Sequence, residues 1–564
     1  MQKQIILYLL CLSFFSTELI AQNLNLKVTG ANDKETIIIN NYNYKKNHID
    51  YSSISSEVDS LHKNIIKTGY IESSIISSKK TNDSSFVFNL QLNNKYETIN
   101  IYYDNKKVNK QIIDIVSNES FDDFFNIPFT ETERVLSFIN SKIANQGFPF
   151  SKIRLSEIKP KDNKTLTANL IIIEGESKRG LDKIILKGYD KFPKSYLKHY
   201  LKIKPSETFS IETIKKKINT LDNLRFANQI KAPEILFTKD STQLYLYIEK
   251  SNSNTFDGFL GFSTDEETNK LDFNGYLDLN LINNFNYGES LKLLYKSNET
   301  EQKNFEAKLN LPYILGTPIG TELELNILKQ DSSFSTTNQK AKLFYLLNSK
   351  NTFFLGIESI ESNNLLNNIN INSLDDYKSN FYTIRYDYEN RKNYNTLFQL
   401  NTLISIEAGF GSRNLNNIKE EQTKLTLNAH HILYLNDRNS IFIRTYGAFL
   451  ISENHLKNEL FRFGGINSIR GFQESSLLAT KLIALNTEYR YKLSNNIYAH
   501  TIIDFANLNN EIDEIKENLY GFGLGFGILT KAGLLRFNYA NGKTESQQFK
   551  FSNSKIHLSL TAIF

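Results

Sequence analysis

From residue 252 onward the chain alternates. Leu271, Phe273, Gly275, Leu277, Leu279 and Leu281 fall on one parity, and Asp272, Asn274, Tyr276, Asp278 and Asn280 on the other. Further on, Phe305, Ala307, Leu309 and Leu311 oppose Glu306, Lys308 and Asn310. A period of two puts the sets on opposite faces of a strand. An apolar face backed by a polar one suits a barrel with lipid outside and water inside. Counting from Thr255, sixteen strands fit, near 255–264, 270–281, 288–297, 303–312, 319–329, 338–348, 352–361 and 380–389, then 395–410, 422–435, 439–451, 479–493, 497–505, 518–529, 532–540 and 553–564. Their connections alternate between tight (283–287, 348–351, 436–439, 494–496) and long (361–380, 508–518). Short turns on one rim and long loops on the other mark a transmembrane barrel, since a soluble one has no reason for the asymmetry.

Before residue 252 the periodicity is mixed, and the mixture repeats. Leu24, Leu26 and Val28 alternate with Asn25 and Lys27. A helix with Val58, Leu61 and Ile65 on one face then closes at Gly69-Tyr70, and strands follow at 71–77 and 86–92. The next copy opens with a strand at 98–101. Its later helix has Thr130 and Glu133 at capping-box spacing, buries Leu136, Ile139 and Ile143, stops at Gly147-Phe148, and leads to strands at 152–158 and 166–173. A third copy has a strand at 183–186, a helix over 211–224 and a last strand through Leu244, Leu246 and Ile248. The aromatic after each helix (Tyr70, Phe148, Phe226) recurs at an interval of 78 residues both times, which is a repeat signal. Arg225 stands where the first two copies have glycine. The expected division is a signal peptide over 1–21, α+β modules over 22–94, 95–176 and 177–251, and an all-β barrel over 252–564. Small sheets of this kind have exposed edges to which an extended peptide can add as a strand.

Composition narrows the partners and the chemistry. Lys3, the apolar run 5–15 and Ala21 read as an export signal. Cys11 is the only cysteine, so the exported chain is expected to carry no disulfide, thiolate nucleophile or cysteine metal site. The charge of +5, from 66 basic and 61 acidic residues, is too small to argue for nucleic acid. Tyr and Phe, 30 and 40 of them, must supply the interfacial girdles because Trp is absent. No Gly-x-Ser-x-Gly elbow or His-Glu-x-x-His site occurs. His430 and His431 are adjacent, so on a strand they face opposite ways. No enzyme activity, cofactor or metal is expected.

One stretch between the eleventh and twelfth strands breaks the alternation: Phe461-Arg462-Phe463-Gly464-Gly465-Ile466-Asn467-Ser468-Ile469-Arg470-Gly471-Phe472. Gly464, Gly465 and Gly471 permit tight backbone and close approach. Arg470, set among apolar and aromatic residues, needs acceptors if it is enclosed. The stretch therefore reads as a loop folded back against the protein rather than as a strand.

Repeated modules, a sixteen-strand barrel and this stretch together resemble the BamA/TamA superfamily of outer-membrane insertases and translocators, whose modules are polypeptide-transport-associated (POTRA) domains. Three modules look most like the TamA branch. In that family a loop between strands eleven and twelve enters the barrel and carries a Val/Ile-Arg-Gly-Phe/Tyr motif, which Ile469-Arg470-Gly471-Phe472 matches. The resemblance implies that Arg470 is grounded on inward-facing acids of the next two strands, here Glu488 and Asp504. It also implies a lateral gate between the first and last strands, with Phe256, Gly258 and Gly261 on one lip and Leu560 and Phe564 on the other. Interior glycine weakens a strand. The alternating run Ile556, Leu558, Leu560, Ala562, Phe564 resembles the recognition signal of outer-membrane strands.

The activity so implied is capture of unfolded outer-membrane β-barrel proteins by periplasmic POTRA domains, followed by insertion into the lipid bilayer of a Gram-negative-type outer membrane. Periplasmic or inner-membrane assembly partners fit the same picture. Two alternatives stand beside it. One is a two-partner-type secretion transporter, which typically has two POTRA domains and a plug helix; the other is a passive porin or receptor, which needs a stable open conductance.

Overall fold

The computed structural model describes residues 23–564 apart from 174, 176, 265–270, 298–301, 367–373, 393–394, 548–549 and 551–553, and gives 259–264 and 271–275 as backbone alone. The expected signal segment, with Cys11, lies outside the described residues. Residues 23–180 with Thr208–Ile211 form one compact unit, and Leu181–Glu207 with Glu212–Phe564 form a second.

The first unit contains two modules of one plan. In the first, helix Tyr51–Lys67 is started by the Asp50 carboxylate, which accepts the Ser53 N–H at 2.7 Å, satisfying a donor that has no partner within the helix. Helical spacing then brings Ile54, Val58, Leu61 and Ile65 onto one buried face. That face packs on a four-stranded sheet in which strand Leu24–Gly30 lies parallel to Ser85–Gln91, with Leu26 beside Phe86 and Val28 beside Phe88. Each such side chain taken fully out of water contributes about 1.5–3 kcal/mol. The second module repeats the parallel pair, with Ile99 beside Leu166 and Ile101 beside Ala168 under helix Thr132–Asn145.

Three local expectations are corrected in these modules. The strand expected over 71–77 is Ser74–Asn82, because Ile71 packs against the core of the second module. The Thr130–Glu133 capping box does not form. Phe129–Glu131 is a 3₁₀ turn, the helix begins at Thr132 without a side-chain cap, and Glu133 pairs with Lys67 at 2.7 Å. Val135 rather than Leu136 is fully buried on that helix, and Leu136 lies at the margin of the core.

The second unit begins with the third module, where Ile184 lies beside Leu244 and Leu186 beside Leu246, again in parallel. The helix expected over 211–224 is α-helical only from Ile211 to Ile218 and finishes as 3₁₀ turns over Asn219–Asn223. Asn219, Thr220, Asp222 and Asn223 compete with the backbone for its own hydrogen bonds. This module sits on the turns at the near end of the barrel. Tyr196 meets Tyr313 edge-on at 4.9 Å, the Asn283 amide donates to the Tyr189 hydroxyl at 2.8 Å, and Asn223 Oδ1 accepts the Arg391 N–H at 3.0 Å. Burial pushes the Tyr196 and Tyr200 phenols well above their ordinary range.

Sixteen antiparallel strands then close a barrel. Strands 1–8 are Thr255–Thr264, Leu271–Ile282, Ser290–Ser297, Gln302–Leu311, Ile319–Gln330, Phe334–Leu346, Asn351–Asn364 and Tyr377–Arg391. Strands 9–16 are Leu400–Leu415, Ile418–Tyr434, Asn439–Ile451, Lys481–Lys492, Ile497–Asn510, Ile515–Thr530, Gly533–Thr544 and Ser554–Ile563. The parity of the sequence becomes inside and outside: Lys342 is 3% exposed and its neighbour Leu343 is 55% exposed. Inward charges are paired, as charges out of bulk water must be. Arg385 forks onto Glu322 at 2.7 and 2.9 Å, and Lys424 reaches Glu358 at 2.7 Å.

Strands 9, 13 and 15 run past their expected ends of 410, 505 and 540. Past residue 505 the outward face of strand 13 turns polar at Asn507 and Asn509, while Ala506 and Leu508 stay buried on the other face. The pattern then stops while the hydrogen-bond ladder continues.

Candidate functional site

Two features of the barrel depart from a uniform cylinder: the connection between strands 11 and 12, and the join between strands 1 and 16.

The connection is anchored at its root. The Arg413 guanidinium, the largest fully buried side chain among the described residues, donates to Glu459 at 2.5 Å and also to Glu420. The Gln422 amide donates to the second oxygen of Glu459 at 3.1 Å. The loop was expected to contain no strand, but Phe461–Phe463 pairs antiparallel with Leu477–Ala479. Apolar residues at the two ends of the loop, Phe461 and Phe463 facing Ala479 and Leu477, form this short ribbon, and it carries the tip into the lumen. Ile469 is buried there with Phe463, Ala448, Ala479, Leu482 and Ala506, and Phe472 packs against the same group.

At the tip, Arg470 is enclosed by acceptors. Its Nε donates to Asp504 Oδ2 at 2.8 Å, its backbone N–H donates to the same oxygen at 3.0 Å, and Nη2 donates to Oδ1. Nη1 donates to Glu488, whose other oxygen accepts from Arg490 Nε at 2.7 Å. Two guanidinium groups and two carboxylates thus form a buried quartet without net charge, in which every charge taken out of water keeps charge-assisted partners and the loss of one would leave another unpaired. Two side chains fix the backbone of the tip: Arg444 donates to the Asn467 carbonyl and Asn486 to the Ser468 carbonyl, each at 2.8 Å. Beyond the motif, Glu474 meets Lys296 of strand 3 at 2.8 Å.

The wall that receives the tip has glycine at its points of closest contact, Gly521 and Gly542. Gly521, Gly523, Gly525 and Gly527 occupy successive positions of one parity on strand 14. A Cβ at Gly521 would lie 2.4 Å from the Arg470 carbonyl oxygen. Gly471 has φ +91°, and a Cβ there would lie 2.3 Å from the backbone nitrogen of Gly542 on strand 15. Loop backbone therefore rests directly on wall backbone, an approach that side chains on either surface would prevent. The lumen around the loop retains a cavity of about 1080 Å³, whose lining includes Lys296, Arg444, Arg470 and Glu488.

The join is thin. Among the described residues, strands 1 and 16 share two register pairs, Thr255 with Ile563 and Phe256 with Ala562. Strands 15 and 16 share eight. Just outside, Asn254 and Phe564 exchange both backbone hydrogen bonds, at 3.2 and 3.0 Å. Past Phe256 the ladder ends. Gly258 has φ +143°, and a Cβ there would lie 2.1 Å from the Tyr276 carbonyl oxygen. At the junction the Thr561 hydroxyl donates to Asp257 at 2.8 Å. Phe256, Leu560 and Phe564 present exposed side chains at this seam, and Gly261 continues the pairing of strand 1 with strand 2 opposite Asn274.

Solved structures share this arrangement of α+β modules ahead of a barrel. BamA from Haemophilus ducreyi lacking POTRA domains 1–3 superposes with a TM-score of 0.50 at 15% identity, over 82% of this chain and 99% of that one. CdiB from Escherichia coli gives 0.54 at 13% identity, over 91% and 98%. CdiB from Acinetobacter baumannii gives 0.51 at 15% identity, over 81% and 86%. Residues 181–250 match the POTRA family model, a surface antigen variable number repeat. The chain therefore shares its fold with these BamA and CdiB structures. A search of curated protein sequences finds no match to the chain. The architecture resembles that of Gram-negative outer-membrane proteins.

Within this fold, Arg470 of the loop motif meets the two acids singled out from sequence, Glu488 and Asp504; Gly464 and Gly465 lie against Gln473 and Glu474 of the same loop, and Phe256 and Phe564 stand at the seam. Sequence reasoning missed Arg490, although Glu488 and Arg490 are two apart on a strand and so share a face. It also missed the Gly-x-Gly-x-Gly-x-Gly run of strand 14, whose parity was a usable signal. Arg413, Glu459 and the Lys296–Glu474 pair had none, because their partners are distant in sequence. The two adjacent histidines have different partners: His430 faces the Leu400 carbonyl and His431 the Thr402 hydroxyl. Among the described residues no group of three or more His, Cys, Asp or Glu side chains is placed to hold a metal ion.

Proposed function

We propose that the protein inserts outer-membrane β-barrel proteins, capturing unfolded chains with periplasmic POTRA modules and templating their strands at a lateral gate between strands 1 and 16. The observation that carries this reading is the two-pair join. Parting it costs few hydrogen bonds and uncovers the edges of both strands, whose unpaired N–H and C=O groups template an incoming strand. Lipid supplies the drive, because a client strand satisfies its backbone in the bilayer only by joining a closed sheet. The loop docked on strands 12–15 holds the C-terminal side of the seam in shape while the gate works. The outer strands Ser74–Asn82 and Lys152–Pro160 offer sheet edges for capture.

The test is depletion of the protein followed by quantitative outer-membrane proteomics. Loss of many barrel proteins supports general assembly, and loss of a few supports a specialised insertase. Loss of one secreted protein with the barrel proteins intact supports the secretion reading instead. An unchanged proteome together with a stable open conductance in planar bilayers points to the porin reading and overturns this one.

A further inference from the structure

Asp257 stands where the seam stops pairing, and its surroundings call for a donor. We propose that Asp257 is a specificity-determining residue: its carboxylate selects client strands with a hydrogen-bond donor side chain at the position Thr561 holds in strand 16. The proposal rests on the lateral-gate reading above and adds to it a chemical class of client.

The geometry is local and specific. The last register pair on the way into the barrel is Phe256 with Ala562. One residue further, the backbone of strand 1 leaves the ladder at Gly258. Between the two, a side-chain bond replaces the missing backbone pair, with the Thr561 hydroxyl donating to the Asp257 carboxylate at 2.8 Å. Asp257 is 9% exposed and borders the lumen cavity together with Thr561, so a donor carried by the paired strand is held against it where lumen water must compete. Directly opposite on strand 2 is Asp278, in register with Asp257 and therefore on the same face. Two like charges facing each other across a ladder repel, so a donor is favoured at this point and a third carboxylate is excluded.

A strand that displaces strand 16 in the same register meets these groups in the same order. Backbone pairing at Thr255 and Phe256 is indifferent to sequence, whereas the side chain brought beside Asp257 is not. Threonine or serine donates to it. Valine, of the same shape as threonine, leaves the carboxylate enclosed without that donor, and aspartate adds to the repulsion. A hydrogen bond to a charged group makes the expected preference of threonine over valine about tenfold or more.

The experiment uses the purified full chain in detergent micelles, with a photoreactive phenylalanine analogue at position 256. Three synthetic peptides spanning residues 554–564 compete for crosslinking: one unchanged, one with Thr561→Val and one with Thr561→Asp. This comparison changes only the peptide, so no folding defect of a protein variant enters it. The expected order is threonine over valine by about tenfold, with aspartate lowest. In Asp257→Lys protein, checked for folding by its heat-modifiable gel mobility, the aspartate peptide should move from last to first. Equal crosslinking of all three peptides to the unaltered residue 257 overturns the selectivity and leaves the gate reading standing. Failure of every peptide to crosslink at strand 1 overturns the gate reading, and this proposal with it.

Discussion

Replacing Asp504 by Asn should release the loop from the barrel wall. Asp504 accepts three N–H donors of Arg470, from the backbone, Nε and Nη2. Glu488 supplies the remaining contact and is shared with Arg490. Asparagine keeps the shape but removes the charge and turns an NH₂ toward the guanidinium. Breaking one partner out of a buried ion pair costs roughly 3–5 kcal/mol, against about 0–1 kcal/mol for an exposed pair. At about 1.4 kcal/mol per tenfold, the released population should grow by about two to four orders of magnitude. A thiol at position 469 reads that population, since Ile469 is 1% exposed in the docked loop and the sequence has no cysteine after Cys11. Maleimide labelling of the Ile469→Cys protein, run slowly enough to sample the released state, should therefore accelerate by that factor on adding Asp504→Asn. Glu361→Gln is the control, because Glu361 meets Lys378 at 3.8 Å with both side chains 58% exposed, and it should leave the rate unchanged. The reasoning fails if Asp504→Asn does not change labelling. It also fails if the thiol at 469 labels as fast as one placed at Leu315, which is 99% exposed.

Further expectations follow from the same contacts. Gly471→Ala should undock the loop in the labelling assay, because its Cβ meets strand 15 backbone. Gly316→Ala, also at positive φ but with nothing within 4 Å, should cost only about 1 kcal/mol of backbone strain and leave the loop seated. Arg413→Ala should loosen the loop root and lower the temperature at which the barrel loses its folded gel mobility, since it strands Glu459 and Glu420; an unchanged midpoint would remove Arg413 from the account. Tyr196→Ala removes an aromatic wedged against Tyr313 and Phe226. It should cost about 3–5 kcal/mol of the packing under the barrel, read as earlier proteolytic cleavage near residue 252. A cysteine pair at Thr255 and Ile563 should, once oxidised, block client insertion, and reductant should restore it; full activity in the oxidised protein would place the working edge elsewhere.

Alternation was enough to specify the barrel. Side chains on a strand have no choice but to take opposite faces, so Lys342 inside and Leu343 outside follow from their parity alone. The helix faces of the modules were equally plain, since Ile54, Val58, Leu61 and Ile65 return to one side by helical geometry. The sequence also placed Arg470, Glu488 and Asp504 in the right strands and loop, although their meeting rested on a family resemblance and not on spacing. Where local rules misplaced an end, as at Thr130 and at residues 219–223, a neighbouring contact or competing polar side chains decided the boundary.

Other features became determinate only when distant segments were brought together. Arg413 finds Glu459, Lys296 finds Glu474, and Gly521 finds the backbone of Arg470, over separations that leave no periodic trace. The seam is the clearest case. Whether residues 255–264 and 554–563 pair along their length or only at one end depends on closing the whole cylinder, in which strand tilt and the bend at Gly258 leave two residue pairs to complete the circle. Periodicity fixes which way a side chain points, because that is a property of one strand. It carries no information about where a sheet runs out of partners, because that is a property of all sixteen.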